Sequence, residues 1–445
     1  MKNILILGAG LVAQPIIRHL LDSNYLVTVA SNTPLRAIAM VDGHPNGEVI
    51  DWSIDDKETL STLIGEHDLT VSLLPYIFHV DVAKLCVEHK KHMVTTSYVK
   101  PEMQDLHEPA IKAGVLLLNE IGLDPGIDHM SAMRIIDNVH RKGGQIVDFY
   151  SICGALPSPE SAVNPFKYKF SWSPRGVLMA GNNDARYLKN GEIVEIPTER
   201  LFRDIFDVDF PGVGILDVYP NRNSTDYIDI YGIPEAKTVY RGTFRFKGWC
   251  ESLDVMKRLK LISSQEFETI GLTNLDFLKQ VNDIQEDGDI RSIISDKLDV
   301  PTSANALDAL EWLGWFSPEP INRERTSTFD ISADLMLGKM SIEENDRDMV
   351  ALQHSFLASY PDGTSEVILS RMLDYGTPAT DTAIARTVAL PAAIAVDMIL
   401  KGEISISGVY RPVVPEIYNP VLENLELLGI KMDETFGLSS EYMIK

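Results

Sequence analysis

The sequence predicts an α/β protein that opens on a doubly wound parallel sheet. Three observations predict it. The apolar run Asn3–Leu7 leads straight into Gly8-Ala9-Gly10, and Leu11, Ile16, Ile17, Leu20 and Leu21 then recur at helical spacing. Strand-like and helix-like stretches go on alternating as far as Asn119. The 445 residues, 45% hydrophobic and 23% charged, suit a globular chain of two or three domains.

Asn3–Leu7 is continuously apolar, as a strand buried on both faces must be. Gly8, Gly10 and Ala13 keep the G-x-G-x-x-A spacing of a Rossmann dinucleotide fingerprint. The first glycine allows a tight turn, the second lets a pyrophosphate approach the backbone, and the small alanine lets helix and strand pack closely. The N–H groups opening the helix then face the phosphates. Pro15 is tolerated in the first turn, where its missing N–H has no helical partner. Tyr25–Ser31 is the second strand. At its end stands Ser31-Asn32-Thr33, with no carboxylate to repel a 2′-phosphate and Arg36 within reach, so NADP is expected, with NAD possible.

Val49–Trp52 reads as a third strand and Leu69–Pro75 as a fourth, ending in a proline turn. His89 and His92 have H-x-x-H spacing without a nearby carboxylate, so no metal is expected. Met93–Thr96 is a fifth strand leading to Ser97-Tyr98, and Val115–Asn119 a sixth leading to Glu120–His129. Beyond it, Gln145–Cys153 is strand-like and residues 210 to 250 alternate as short strands. Residues 252 to 346 read as helical, and 349 to 373 as strands about the turn Tyr360–Gly363. An alanine-rich helix from Thr382 to Leu400 and a tail holding Pro412–Glu416 follow.

A formal net charge of −24 argues against nucleic acid and anionic membrane surfaces as partners. Three cysteines, Cys86, Cys153 and Cys250, match no zinc or redox spacing and suit a reducing compartment. No targeting segment is read before the first strand and no apolar run is read as spanning a bilayer, so a cytoplasmic protein is expected.

Ligands of parallel sheets collect beyond the carboxyl ends of the strands. Pro75-Tyr76, Ser97-Tyr98 and Leu123–Gly126 fall there, with Asp124 before a Pro-Gly turn. Such a carboxylate is either a turn cap or a site acid, and Tyr98 either packing or a site phenol. His79 and His129 read as acid–base groups or as hydrogen-bonded structural histidines, with the structural reading favoured.

These stretches carry a resemblance. Gly8–Pro15, Leu73–His79, Thr95–Val99, Asn119–His129, Lys167–Ser173, Tyr219–Arg222, Arg241–Arg245, Arg347–Val350 and Pro415–Ile417 occur in the order found in saccharopine dehydrogenases of the glutamate-forming kind. The chain resembles that family over nearly its whole length. The resemblance implies a reversible oxidoreductase of lysine metabolism acting on a secondary amine. Saccharopine, NAD(P)+ and water give L-glutamate, 2-aminoadipate 6-semialdehyde and NAD(P)H. It needs a positioned nicotinamide, a group that takes and returns the amine proton, and a group that steers water.

By the same resemblance Asp124, Cys153 and Tyr98 line the reacting centre, Asp124 and Cys153 as proton carriers and Tyr98 positioning the amine. Ser97, Tyr98, Trp172, Arg222, Thr243, Phe244 and Arg245 would bind substrate, the arginines gripping carboxylates bidentately. The cofactor would touch Gly8, Gly10, Leu11, Val12, Ala13, Ser31, Asn32, Thr33, Arg36, Asp51, Trp52, Leu74, Thr96, Leu123, Asp124 and Pro125. Members of the family have Cys-Arg-Thr where this chain has Ser31-Asn32-Thr33, which leaves Arg36 as the substitute or NAD as the cofactor.

The implied architecture is a discontinuous Rossmann domain (1–128 with 390–445), a mixed α/β substrate and dimerisation domain (129–252 with 345–389) and a small helical domain (253–344), assembled as a homodimer. Two other readings are open. One is a carboxynorspermidine dehydrogenase, whose substrate has fewer carboxylates and would not call for Arg222 and Arg245. The other is a non-catalytic NADP-binding protein.

Overall fold

The computed structural model describes residues 1–172 and 174–444; Ser173, the end of one resemblance stretch, and Lys445 lie outside the described residues. The chain divides into two compact units, residues 1–145 with 358–437 and residues 146–357 with 438–445.

The first unit is built on the expected parallel sheet. Its strands are β1 (Asn3–Leu7), β2 (Leu26–Ser31), β3 (Gly47–Asp51), β4 (Leu69–Ser72), β5 (His92–Val94) and β6 (Leu116–Leu118). Gly408–Tyr410 adds a seventh beside β6, and the order is 408–410, β6, β5, β4, β1, β2, β3. Every pair is parallel, with β2 and β4 flanking β1. Ile4 to Leu7 have no exposed surface, as a strand covered on both faces requires. Helix Gln14–Asp22 buries Pro15, Ile16, Ile17, Leu20 and Leu21, the face that the spacing predicts. Strands Ser365–Tyr375 and Asp433–Leu438 lie side by side in this unit.

The tail is structured, with Pro415 opening helix Pro415–Leu427, which packs against helix Ala383–Lys401. One expectation needs correction. Ala383–Lys401 is long and apolar enough to cross a membrane, with a mean hydropathy of 1.8. Arg386 and Asp397 interrupt the run in the sequence, yet the helix continues through both. It is a core helix: 72% of that window is buried, and it packs on helix Gln14–Asp22.

The second unit contains β7 (Gln145–Pro157), β8 (Ala185–Lys189), β9 (Glu192–Ile196), β10 (Phe206–Phe210), β11 (Gly214–Pro220), β12 (Thr238–Phe246) and β13 (Asp348–Ser359). They run in the order β10-β11-β12-β7-β13, with β8 beside β12 and β9 beside β8. β12 and β7 are parallel while β11 and β12 are antiparallel, the mixed sheet expected here.

The two compact units cut the chain elsewhere than the implied domains. Residues 129–145 and 358–389 fall with the nucleotide-type sheet, and the helices of 253–344 and residues 438–445 fall in the second unit. The physical reason is a shared core. Helix Trp249–Arg258 follows β12 after two residues, and its Trp249 ring lies 4.6 Å from Tyr168 and 6.2 Å from Phe166. Helix Asn305–Leu313 then packs on Trp249–Arg258, so these helices have no separate interior.

Candidate active site

In the first unit the glycine turn is shaped for a close ligand. Gly8 has φ +103°, and a Cβ there would meet the Leu73 carbonyl oxygen at 3.2 Å. A Cβ on Gly10 would meet nothing within 4 Å, so the space over this residue is open. Ala13 is fully buried, and helix Gln14–Asp22 begins without a side-chain cap or an acidic residue in its first turn. Its leading N–H groups therefore suit a phosphate.

Leu11 is exposed beside the turn, with Val12 partly buried. At the end of β2, the Ser31 and Thr33 hydroxyls lie 3.0 Å apart and the Thr33 N–H donates to Ser31 Oγ at 3.1 Å. Asn32 and Arg36 are exposed, Arg36 on helix Pro34–Val41. Asp51 is exposed at the end of β3, whereas Trp52 is buried with Nε1 donating to the Asp56 carbonyl at 3.0 Å.

The turns after β4, β5 and β6 hold one another. His79 is buried, its Nδ1 2.9 Å from Ser72 Oγ and its Nε2 2.8 Å from Ser97 Oγ. Burial pushes its imidazole down to about 4, so it is neutral at neutral pH. The Tyr98 hydroxyl donates to Asp124 Oδ1 at 3.1 Å, which joins two of the three expected reacting groups. Leu123 and Pro125 are buried beside the half-buried Asp124, and Thr96 and Leu74 are partly exposed. A Cβ on Gly126, at φ +149°, would stand 1.9 Å from the Gly122 carbonyl oxygen, so only glycine closes this turn.

Behind these turns lies a buried ionic cluster that sequence reasoning missed. Glu120 accepts from the Val99 N–H at 2.7 Å, from Arg411 Nε at 2.8 Å and from His129 Nε2 at 2.8 Å. Burial alone would raise its pKa; the His129 hydrogen bond and charge, with Arg411 and the Val99 N–H, outweigh it and hold the carboxyl below its usual range. The cluster ties the Tyr98 loop to the helix that follows Asp124. Only the positive φ demanded of Glu120, +57°, sets it apart, and nothing in sequence spacing signals that. His89 and His92 are engaged separately, by Ser61 Oγ and by the Leu116 N–H.

In the second unit, register aligns Cys153 on β7 with Thr243 on β12, and Thr243 with Tyr219 on β11. Arg245 lies two residues on, so its side chain leaves the sheet on the Thr243 face. It is 4% exposed and lies over Tyr168, Trp249 and Tyr219, with centroid distances of 4.9, 5.5 and 5.8 Å. Its Nη1 donates to its neighbour's carbonyl, that of Phe244, at 2.8 Å, and its Nε has no hydrogen-bond partner among the described residues. Among the described residues no carboxylate pairs with this guanidinium. Trp172 stands by the Tyr168 hydroxyl.

Two expected substrate residues sit differently. Arg222 is exposed beyond β11, with φ +52° and its carbonyl accepting from the Arg186 N–H at 2.8 Å. The expectation for the Phe244 side chain is corrected. It is fully buried on the opposite face, edge-on to Phe210 at 5.6 Å and over Gly154, because successive strand residues alternate.

Comparison with known proteins agrees with these features. Residues 4–118 match the saccharopine dehydrogenase NADP binding domain, and residues 122–430 match the saccharopine dehydrogenase C-terminal domain. The chain is 38% identical to the NADP+, L-glutamate-forming saccharopine dehydrogenase of Schizosaccharomyces pombe, over 98% of this chain and 99% of that protein. It is 37% identical to the mitochondrial alpha-aminoadipic semialdehyde synthase of Bos taurus, over 96% of this chain and 47% of that one. The solved apo saccharopine dehydrogenase (L-Glu forming) of Saccharomyces cerevisiae superposes with a TM-score of 0.90 at 36% identity, covering 98% of this chain and 100% of that one.

Proposed function

The chain belongs to the saccharopine dehydrogenase family, and from that premise we propose that it catalyses the reversible oxidation of saccharopine by NADP+ and water to L-glutamate and 2-aminoadipate 6-semialdehyde. The observation that carries the substrate assignment is Arg245. A buried, permanently charged guanidinium with an unpartnered Nε and no carboxylate partner is costly unless an anion completes it. Saccharopine has three carboxylates, each matching the fork of an arginine.

The open space over Gly10, the φ of Gly8 and the uncapped first helix fit a dinucleotide. Gly8, Gly10 and Ala13 with the helix N–H groups would hold its pyrophosphate, and Ser31, Thr33 and Arg36 its 2′-phosphate. The bound nicotinamide supplies hydride transfer with the carbon beside the secondary amine. The chain's own groups do the rest. Asp124, already hydrogen-bonded to Tyr98, takes and returns the amine proton, and the phenol orients the nitrogen. Cys153 is the second proton carrier, for the water that opens the imine, and Thr243 beside it helps to seat a carboxylate.

The proposal includes a cytoplasmic homodimer without nucleic-acid or membrane partners. The net charge of −24 supports the last part, and three buried cysteines outside any disulfide support a reducing compartment. The test runs the reaction in the condensing direction. NADPH oxidation should require both aminoadipate semialdehyde and glutamate. Consumption with aspartate semialdehyde and a diamine instead would assign the chain to carboxynorspermidine-type chemistry, and consumption with neither pair to a non-catalytic binder.

A further inference from the structure

We propose that His79 is a positioning residue that fixes the direction of the Ser97 hydroxyl, so that its hydrogen is offered to a substrate carboxylate. The assignment rests on the functional reading above and adds a residue to it. The geometry is a chain of side chains in which His79 links Ser72 to Ser97 and Thr95. Ser72 Oγ lies 2.9 Å from Nδ1, and Ser97 Oγ lies 2.8 Å from Nε2. Thr95 Oγ1 lies 3.3 Å from the same Nε2, and it also faces the Ser97 N–H at 3.4 Å.

A neutral imidazole has one donor nitrogen and one acceptor, so the tautomer sets both neighbouring hydroxyls. In the proposed tautomer Nε2, which faces the hydroxyl oxygens of Ser97 and Thr95, is the N–H, and Nδ1 accepts from the Ser72 hydroxyl. Ser97 Oγ then receives the ring proton and its own O–H is left to donate elsewhere. The ring is 4% exposed on the first turn of helix His79–His89, and it is held at neutral charge by that burial. It cannot turn to a new partner without breaking both contacts. A freely rotating serine would spend part of its time with the hydroxyl turned away from the carboxylate, and binding would weaken in proportion.

The experiment measures saccharopine oxidation at 340 nm for wild type, His79→Ala, His79→Gln, Ser97→Ala and the His79→Ala/Ser97→Ala pair. The Gln side-chain amide can place a donor near the former Nε2. Expected results are a KM for saccharopine raised about tenfold in H79A, with kcat within about twofold and the KM for NADP+ unchanged. H79Q should recover most of the affinity, and the double variant should be no worse than S97A. Multiplying effects of H79A and S97A, or a KM equally raised in H79A and H79Q, overturns the assignment. If H79A does not fold, H79Q and H79Q/S97A decide: H79Q must bind saccharopine near the wild-type level, and a large loss shared with NADP+ overturns it. Failure of the wild-type chain to oxidise saccharopine sinks the functional reading and this assignment together. Wild-type turnover with an unmoved KM in H79A sinks His79 alone.

Discussion

Replacing Arg245 by methionine should separate binding from stability. The guanidinium is buried against three rings, its Nη1 donates to the Phe244 carbonyl, and its Nε is unpartnered among the described residues. Removing it from the free protein sacrifices cation–π attraction worth about 1–2 kcal/mol. The same change removes the desolvation cost of a buried charge, roughly several kcal/mol. The balance predicts a folded protein of unchanged or higher stability. A substrate carboxylate, by contrast, loses a two-pronged charged contact worth about 3–5 kcal/mol. That corresponds to roughly a hundred- to a few thousandfold in kcat/KM. The assays are saccharopine-dependent reduction of NADP+ and thermal unfolding without ligands. Near-wild-type kcat/KM in Arg245→Met, or a Tm lowered by about 10 °C or more, would show that the charge serves the fold and refute the reasoning.

The other expectations are smaller. Arg222→Lys should raise the saccharopine KM by only about three- to tenfold, because the residue is exposed and its contact shares water. Gly10→Ala should weaken NADPH binding about tenfold or more in a fluorescence titration while leaving Tm unchanged, since its Cβ meets solvent space that the nucleotide needs. Gly126→Ala should cost several kcal/mol and yield little folded protein, its Cβ colliding with Gly122. The pH prediction concerns His79, whose folded-state pKa is lowered to about 4. The unfolded chain binds the proton more readily, so stability falls as pH drops from the unfolded value of about 6.5 toward 4, by about 3 kcal/mol in total. His79→Gln should remove that part of the slope in denaturant titrations across this window. An identical slope would show that the ring is not neutral by burial.

Local features of the fold were legible and distant ones were not. The first strand, glycine turn and helix declare themselves within twenty residues, because burial on both faces and phosphate access each constrain neighbouring positions. Tyr98 and Asp124 were legible as strand-end residues, and the structure joins them through one hydrogen bond. Glu120 was not. Its partner Arg411 lies 291 residues away, and no periodicity relates an ion pair to its sequence separation. Phe244 shows a motif read without its alternation: a strand that aims Thr243 and Arg245 at one face must aim the residue between them at the other. The resemblance implied a separate domain for the helices after Trp249, yet a core is defined by what packs together, and Trp249 with Tyr168 joins them to the sheet.

The most direct measurement is oxidation of saccharopine by the purified chain with NADP+, followed at 340 nm with the released amino acid identified. The account predicts one L-glutamate and one aminoadipate semialdehyde per NADPH formed. Release of lysine with 2-oxoglutarate, or no reduction of NADP+ at all, would contradict it.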